Sequence, residues 1–175
     1  MLKPAVAFWF KKTGWRFSGN LPKKEKKSFF VVGPNTSRRD LFLAVAIIHF
    51  THFKARILVH KKWWNPIYTP FLKHVGAAPF DYNDRKASWQ TIINQYNERK
   101  KFSIIFCPDP QIGTHNEWQP DFLEAMKKLD IPIVMVHISQ DNKMVKFHTM
   151  FYPSGDNERD LRFMDRSLFG PQVTE

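Results

Sequence analysis

A chain of 175 residues with 43% apolar content, 17 Phe and 6 Trp is the size of one domain and has ample material for a single core, so one domain over residues 1–175 is expected. The formal charge of +11 implies attraction to something anionic, and nucleic acid, anionic lipid headgroups and an acidic carrier or cofactor all fit. The lone cysteine, Cys107, excludes an internal disulfide framework and points to a reducing compartment, most simply the cytoplasm.

In chain order, Val6-Ala7-Phe8-Trp9-Phe10 followed by Lys11, Lys12, Trp15 and Phe17 is too short for a signal h-region or a membrane span, which needs roughly 20 apolar residues. Within residues 1–20 it reads either as an amphipathic helix lying in a membrane interface or as a first helix packed on its own domain. After the polar run Lys23 to Lys27, Ser28-Phe29-Phe30-Val31-Val32 reads as a buried strand and Leu41 to Ile48 as a helix. Arg56 to His60 is a second strand, followed by the turn-rich aromatic segment Trp63-Trp64-Asn65-Pro66-Ile67-Tyr68. A helix from Phe71 to Val75, an extended piece at Ala78-Pro79-Phe80 and a helix from about Lys86 to Arg99 come next. Phe102 to Phe106 is a third core strand, Phe122 to Leu129 a helix, Ile131 to Val136 a fourth strand, Val145 to Met150 a further strand, and Asn157 to Asp165 a last helix. Strands alternating with helices predict an α/β fold, a largely parallel central sheet flanked by helices.

The junction of the first strand and its helix reads Gly33-Pro34-Asn35-Thr36-Ser37-Arg38-Arg39-Asp40. It resembles the H-x-x-x-x-D motif of the lysophospholipid (glycerolipid) acyltransferases, the 1-acylglycerol-3-phosphate acyltransferase family, usually seen as P-H-T-S-x-x-D. Asn35 stands where that motif has histidine. The resemblance covers about residues 5 to 155 and includes three further blocks in the family's order. Gly76 to Tyr82 is similar to G-G-I-P-V-D-R and places Asp81 and Tyr82 at the last two positions. Pro108-Asp109-Pro110-Gln111-Ile112 is similar to P-E-G-T-R, and Ile131 to Val136 to V-P-I-V-P-V.

The resemblance implies an acyltransferase-like fold and an acyl thioester donor, carried by acyl-CoA or acyl carrier protein, with no bound cofactor and no metal. In the family the histidine is general base on the acceptor hydroxyl and the aspartate orients it, the usual base-and-orienter arrangement. Asparagine takes up no proton near neutral pH, and loss of a general base typically costs about 10²–10⁴ in rate. Asn35 and Asp40 thus mark a degenerate catalytic pair. Asp40 also fits a helix capping box with Ser37. His115 is an alternative base by chain position, set against an ordinary loop histidine. The family's phosphate-binding arginines are matched by Tyr82 and Ile112. The expected substrate-binding set is therefore Arg38, Arg39, Asp81, Tyr82, Asp109, Gln111 and Ile112, with Arg85 near enough to Tyr82 to act as a substitute arginine.

Phe8, Trp9, Phe10, Trp15, Trp63 and Trp64, interleaved with lysines, suit a membrane surface where such rings sit at headgroup depth. Aromatics among lysines also stack on single-stranded nucleic acid, but no RNP, KH or zinc-finger signature supports that use. The expectation is a cytoplasmic, peripheral membrane domain that binds anionic lipid and an acyl or lipid ligand, with a protein partner also compatible. Its catalysis is expected to be impaired or absent. The alternatives are an active acyltransferase with a non-standard acceptor and a basic nucleic-acid-binding domain.

Overall fold

The computed structural model describes residues 8, 10–19, 27–33, 55–100, 102–106 and 120–169. They form strands β1 (Arg16–Ser18), β2 (Lys27–Gly33), β3 (Ala55–His60), β4 (Ala77–Phe80), β5 (Phe102–Phe106), β6 (Ile133–Ser139) and β7 (Met144–Phe147). The helices are α1 (Thr69–His74), α2 (Arg85–Glu98), α3 (Pro120–Leu129) and α4 (Asn157–Phe169), with a short 3-10 turn at Lys61–Trp63.

Residues 28–33 of β2 are buried without interruption, the pattern of a strand covered on both faces in a parallel sheet. β2 accordingly lies in the middle of a seven-stranded sheet ordered β1-β7-β6-β2-β5-β3-β4. It pairs in parallel with β5 and β6, and β3 pairs in parallel with β4 and β5. Only β6 with β7 is antiparallel among these pairs. The alternating side chains of β2 divide the core: Phe29 and Val31 join Ile104, Phe106, Ile133 and Met135 on one face, and Phe30 and Val32 join Ile57, Val59, Ile105 and Val134 on the other.

Helices α2, α3 and α4 cover the first face. Asp84 caps α2 by accepting from the Ala87 amide at 3.1 Å, and Trp89, Ile92 and Tyr96 form its buried stripe. On α3, Phe122, Leu123, Met126 and Leu129 are buried, and Asp130 ends the helix in a left-handed conformation at φ 44. Arg159 N–H donates to Asp156 Oδ1 at the start of α4, whose Met164 and Leu168 reach the sheet. Gly33 belongs under this helix, because a Cβ there would lie 3.1 Å from Leu168 Cδ1. On the second face α1 contributes Leu72 and Val75.

The expected alternation and largely parallel sheet are present; the N-terminal expectation is corrected. Residues 10–13 are helical, but Arg16–Ser18 then forms β1 beside β7, so no helix runs to residue 20. Phe10 is 2% exposed, with ring centroids 5.1 Å from Phe17 and 6.1 Å from Trp15. It is a core residue and is unavailable to a membrane. The apolar side of this segment is used by its own sheet. Phe8 is exposed, and Trp9 lies outside the described residues, as does the expected helix at 41–48. β7 is shorter than expected and ends at Phe147, although His148 N–H still donates to Met135 O.

Candidate functional site at the carboxyl edge of the sheet

The parallel strands β2, β3, β4 and β5 end side by side at Gly33, His60, Phe80 and Phe106. Register makes the alignment explicit: Phe106 pairs with Val31 on one side and Leu58 on the other, His60 pairs with Phe80, and Gly33 pairs with His137. In open α/β sheets ligands bind beyond such carboxyl ends. The first sequence block starts directly after β2, the second runs through β4, and the third starts directly after β5. All three chain exits therefore share one edge. Asn35, Arg38, Arg39 and Asp40, and likewise Asp109, Gln111, Ile112 and His115, lie outside the described residues.

The second block is fully described. Val75 ends α1, and Gly76, at φ 78, makes the left-handed turn into β4 that a glycine takes without strain. Beyond β4, Asp81 Oδ2 pairs with Lys61 Nζ at 2.9 Å and Oδ1 accepts from the Asn83 amide at 3.0 Å. Lys61, then that amide, hold the Asp81 carboxyl below its ordinary range, and Asp81 in turn raises Lys61. Asp81 N–H also donates to Ser88 Oγ at 3.0 Å, which fastens the block to α2.

Tyr82 lies against His60 and Phe80, with ring centroids at 4.8 and 4.9 Å. Its ring is tilted against the imidazole and edge-on to the phenyl group. Arg85, nearby, is engaged by another side chain. Its Nε and Nη2 donate to Asp121 Oδ2 and Oδ1 at 2.8 and 3.0 Å, and Trp89 Nε1 donates to Asp121 Oδ2 at 3.1 Å. This bidentate clamp joins the first turn of α2 to the first turn of α3, and it engages the planar fork by which arginine would hold a phosphate. Behind it Phe29, Phe80, Trp89, Phe106 and Phe122 form one aromatic cluster, with Phe80 and Trp89 4.9 Å apart and Phe106 stacked on Phe122 at 5.8 Å. Sequence reasoning missed the clamp, whose partners are separated by 36 residues.

The structure is similar to the crystal structure of the 1-acyl-sn-glycerophosphate (LPA) acyltransferase PlsC from Thermotoga maritima. The match covers 93% of this chain and 73% of that chain, with a TM-score of 0.59 and 14% sequence identity. The fold is acyltransferase-like. No family model matches the chain, and no curated protein matches it.

One histidine lies beside the start of the first block. His137, opposite Gly33, places Nδ1 within hydrogen-bond distance of Leu168 O. Burial, then Lys146 and His137, hold His148 below the ordinary imidazole range. Among the described residues no group of three or more His, Cys, Asp or Glu is arranged to hold a metal ion, and no helix is long and apolar enough to cross a membrane. Trp15, Trp63 and Trp64, expected at a membrane surface, are half-buried against the second core face.

Proposed function

We propose that this protein is an acyltransferase-like domain that binds an acyl or lipid ligand at the carboxyl edge of its sheet, at the cytoplasmic surface of a membrane, and does not carry out conventional acyl transfer to a phosphorylated acceptor. The observation that carries the proposal is the state of the second block. Tyr82 packs against His60 and Phe80, edge-on to the latter, where the resemblance calls for a phosphate-binding arginine, and the neighbouring Arg85 is engaged by Asp121. Asn35 in place of the general-base histidine supports the same reading from the sequence. The positive charge and acyltransferase-like fold favour an anionic lipid environment. Arg38 and Arg39 are the residues proposed to meet an anionic headgroup.

Mass spectrometry of lipids that copurify with the protein tests the binding half of this reading. Enrichment of acylated species over a control protein of similar charge is expected. A preparation that carries and takes up no acylated species would contradict it.

A further inference from the structure

The most exposed large apolar residues near the candidate site are Ile67 at 81%, Phe71 at 55% and Tyr68 at 47%. Ile67 and Tyr68 lie in the turn that leads into α1, and Phe71 is in the first turn of that helix. They are presented rigidly. Asn65 Oδ1 accepts from the amides of Ile67 and Tyr68 at 3.0 Å each, and Asn65 O accepts from Thr69 N and Oγ1 at 2.9 and 2.7 Å. Pro66 and Pro70 restrict the backbone on either side. The ridge is anchored from below: Leu72 and Val75 are buried, Trp63 and Trp64 pack against the second core face, and Trp63 meets Tyr68 edge-on at 6.4 Å.

A turn built to hold isoleucine, tyrosine and phenylalanine outward has the composition of an interaction surface, and its electrostatic surroundings choose the occupant. Lys62 and Lys73 flank the turn in sequence, Lys61 beside them is paired with Asp81 at 2.9 Å, and the chain carries a net charge of +11. Cations around protruding aliphatic and aromatic side chains match an anionic bilayer interface. The turn follows β3 directly, so it stands at the same edge of the sheet as the candidate site.

We propose that Ile67, Tyr68 and Phe71 form a docking wedge that inserts into an anionic lipid surface and seats the carboxyl edge of the sheet on the bilayer. This rests on the lipid-binding reading above and deepens it. A lipid ligand would pass between membrane and site without crossing water. The wedge, rather than Phe10 or the half-buried tryptophans, supplies the inserted groups.

The test is flotation with phosphatidylcholine vesicles that contain or lack phosphatidylglycerol, using the wild type, Ile67→Asp, the double variant Ile67→Ser/Phe71→Ser, and, as an exposed control on α4 across the sheet, Phe163→Ser. The double variant is expected to lower binding to anionic vesicles at least about tenfold, since binding follows inserted apolar area, with an unchanged thermal melt and with Phe163→Ser near wild type. Ile67→Asp alone, at a site too exposed to affect folding, is expected to weaken binding as well. If both wedge variants float like the wild type, the wedge is wrong while the lipid reading stands. If the wild type floats on neither vesicle, the wedge falls, and copurified lipid decides whether the site reading falls with it. Self-association that the Ile67→Asp change abolishes, or a single-strand gel shift that it abolishes, in place of flotation would overturn the proposal in favour of a second copy or nucleic acid.

Discussion

Replacing Asp121 with alanine removes both anchors of the Arg85 guanidinium and the acceptor of the Trp89 indole together. The fork lies at 2.8 and 3.0 Å from the carboxylate oxygens and the indole nitrogen at 3.1 Å. The side chains of Arg85 and Asp121 are 20% and 33% exposed, so the pair falls between surface ion pairs, worth about 0–1 kcal/mol, and buried pairs, whose disruption costs about 3–5 kcal/mol. Loss of the fork alone in Arg85→Ala is expected to cost about 1–2 kcal/mol. Asp121→Ala also strands the N–H of Trp89, a residue only 3% exposed, which adds about 1–3 kcal/mol. Urea unfolding at unchanged m-value reads both numbers, and the double variant should be little worse than Asp121→Ala by itself. The reasoning is refuted if Arg85→Ala leaves the urea midpoint unchanged and weakens binding of glycerol 3-phosphate or lysophosphatidic acid. Arg85 would then be a phosphate ligand rather than a clamp.

Phe10→Ala should lower stability by about 3–5 kcal/mol, as expected for a buried phenylalanine, whereas Phe8→Ala should change it by less than about 0.5 kcal/mol; equal effects in a thermal melt would return Phe10 to the surface. His148, held below its ordinary range by burial and then by Lys146 and His137, binds a proton more readily in the unfolded chain. Its contribution is therefore intact above about pH 6.5 and is lost as pH falls below that value. Urea midpoints from about pH 8 down to about pH 5 should decline less steeply in His148→Gln than in the wild type, and identical slopes would discard this assignment.

The strands were the most legible part of the sequence. Phe102 to Phe106 and the run after Lys27 are apolar apart from Ser103 and Ser28, as suits strands covered on both faces. The start of α2 was legible within a residue, since Asp84 caps it. β1 was not, because Arg16, Phe17 and Ser18 carry no burial pattern of their own and are strand by virtue of pairing with Met144, Val145 and Lys146. The N-terminal segment shows what periodicity leaves open: it marks an apolar side without saying whether membrane or core receives it, and Phe10 went to the core. The same ambiguity reversed the aromatic segment after β3. Trp63 and Trp64 beside two lysines have the composition of a membrane surface, yet they support the ridge from within while Ile67 and Phe71 face outward. The partner of Arg85 was beyond reach, because the packing of α2 against α3 brings Asp121 to it. Of the predicted site, Asp81 and Tyr82 follow β4 directly, and each is engaged by a neighbour there.

The central claim concerns chemistry at that edge, and one measurement addresses it most directly: acyl transfer to lysophosphatidic acid, supplied with acyl-CoA or an acyl carrier protein thioester, followed by mass spectrometry of the diacyl product. The account predicts no product above the buffer control from the wild type, and none near family-like rates from Asn35→His, since Tyr82 and Ile112 still stand in the arginine positions. Robust product from the wild type that disappears in Asn35→Ala would contradict it.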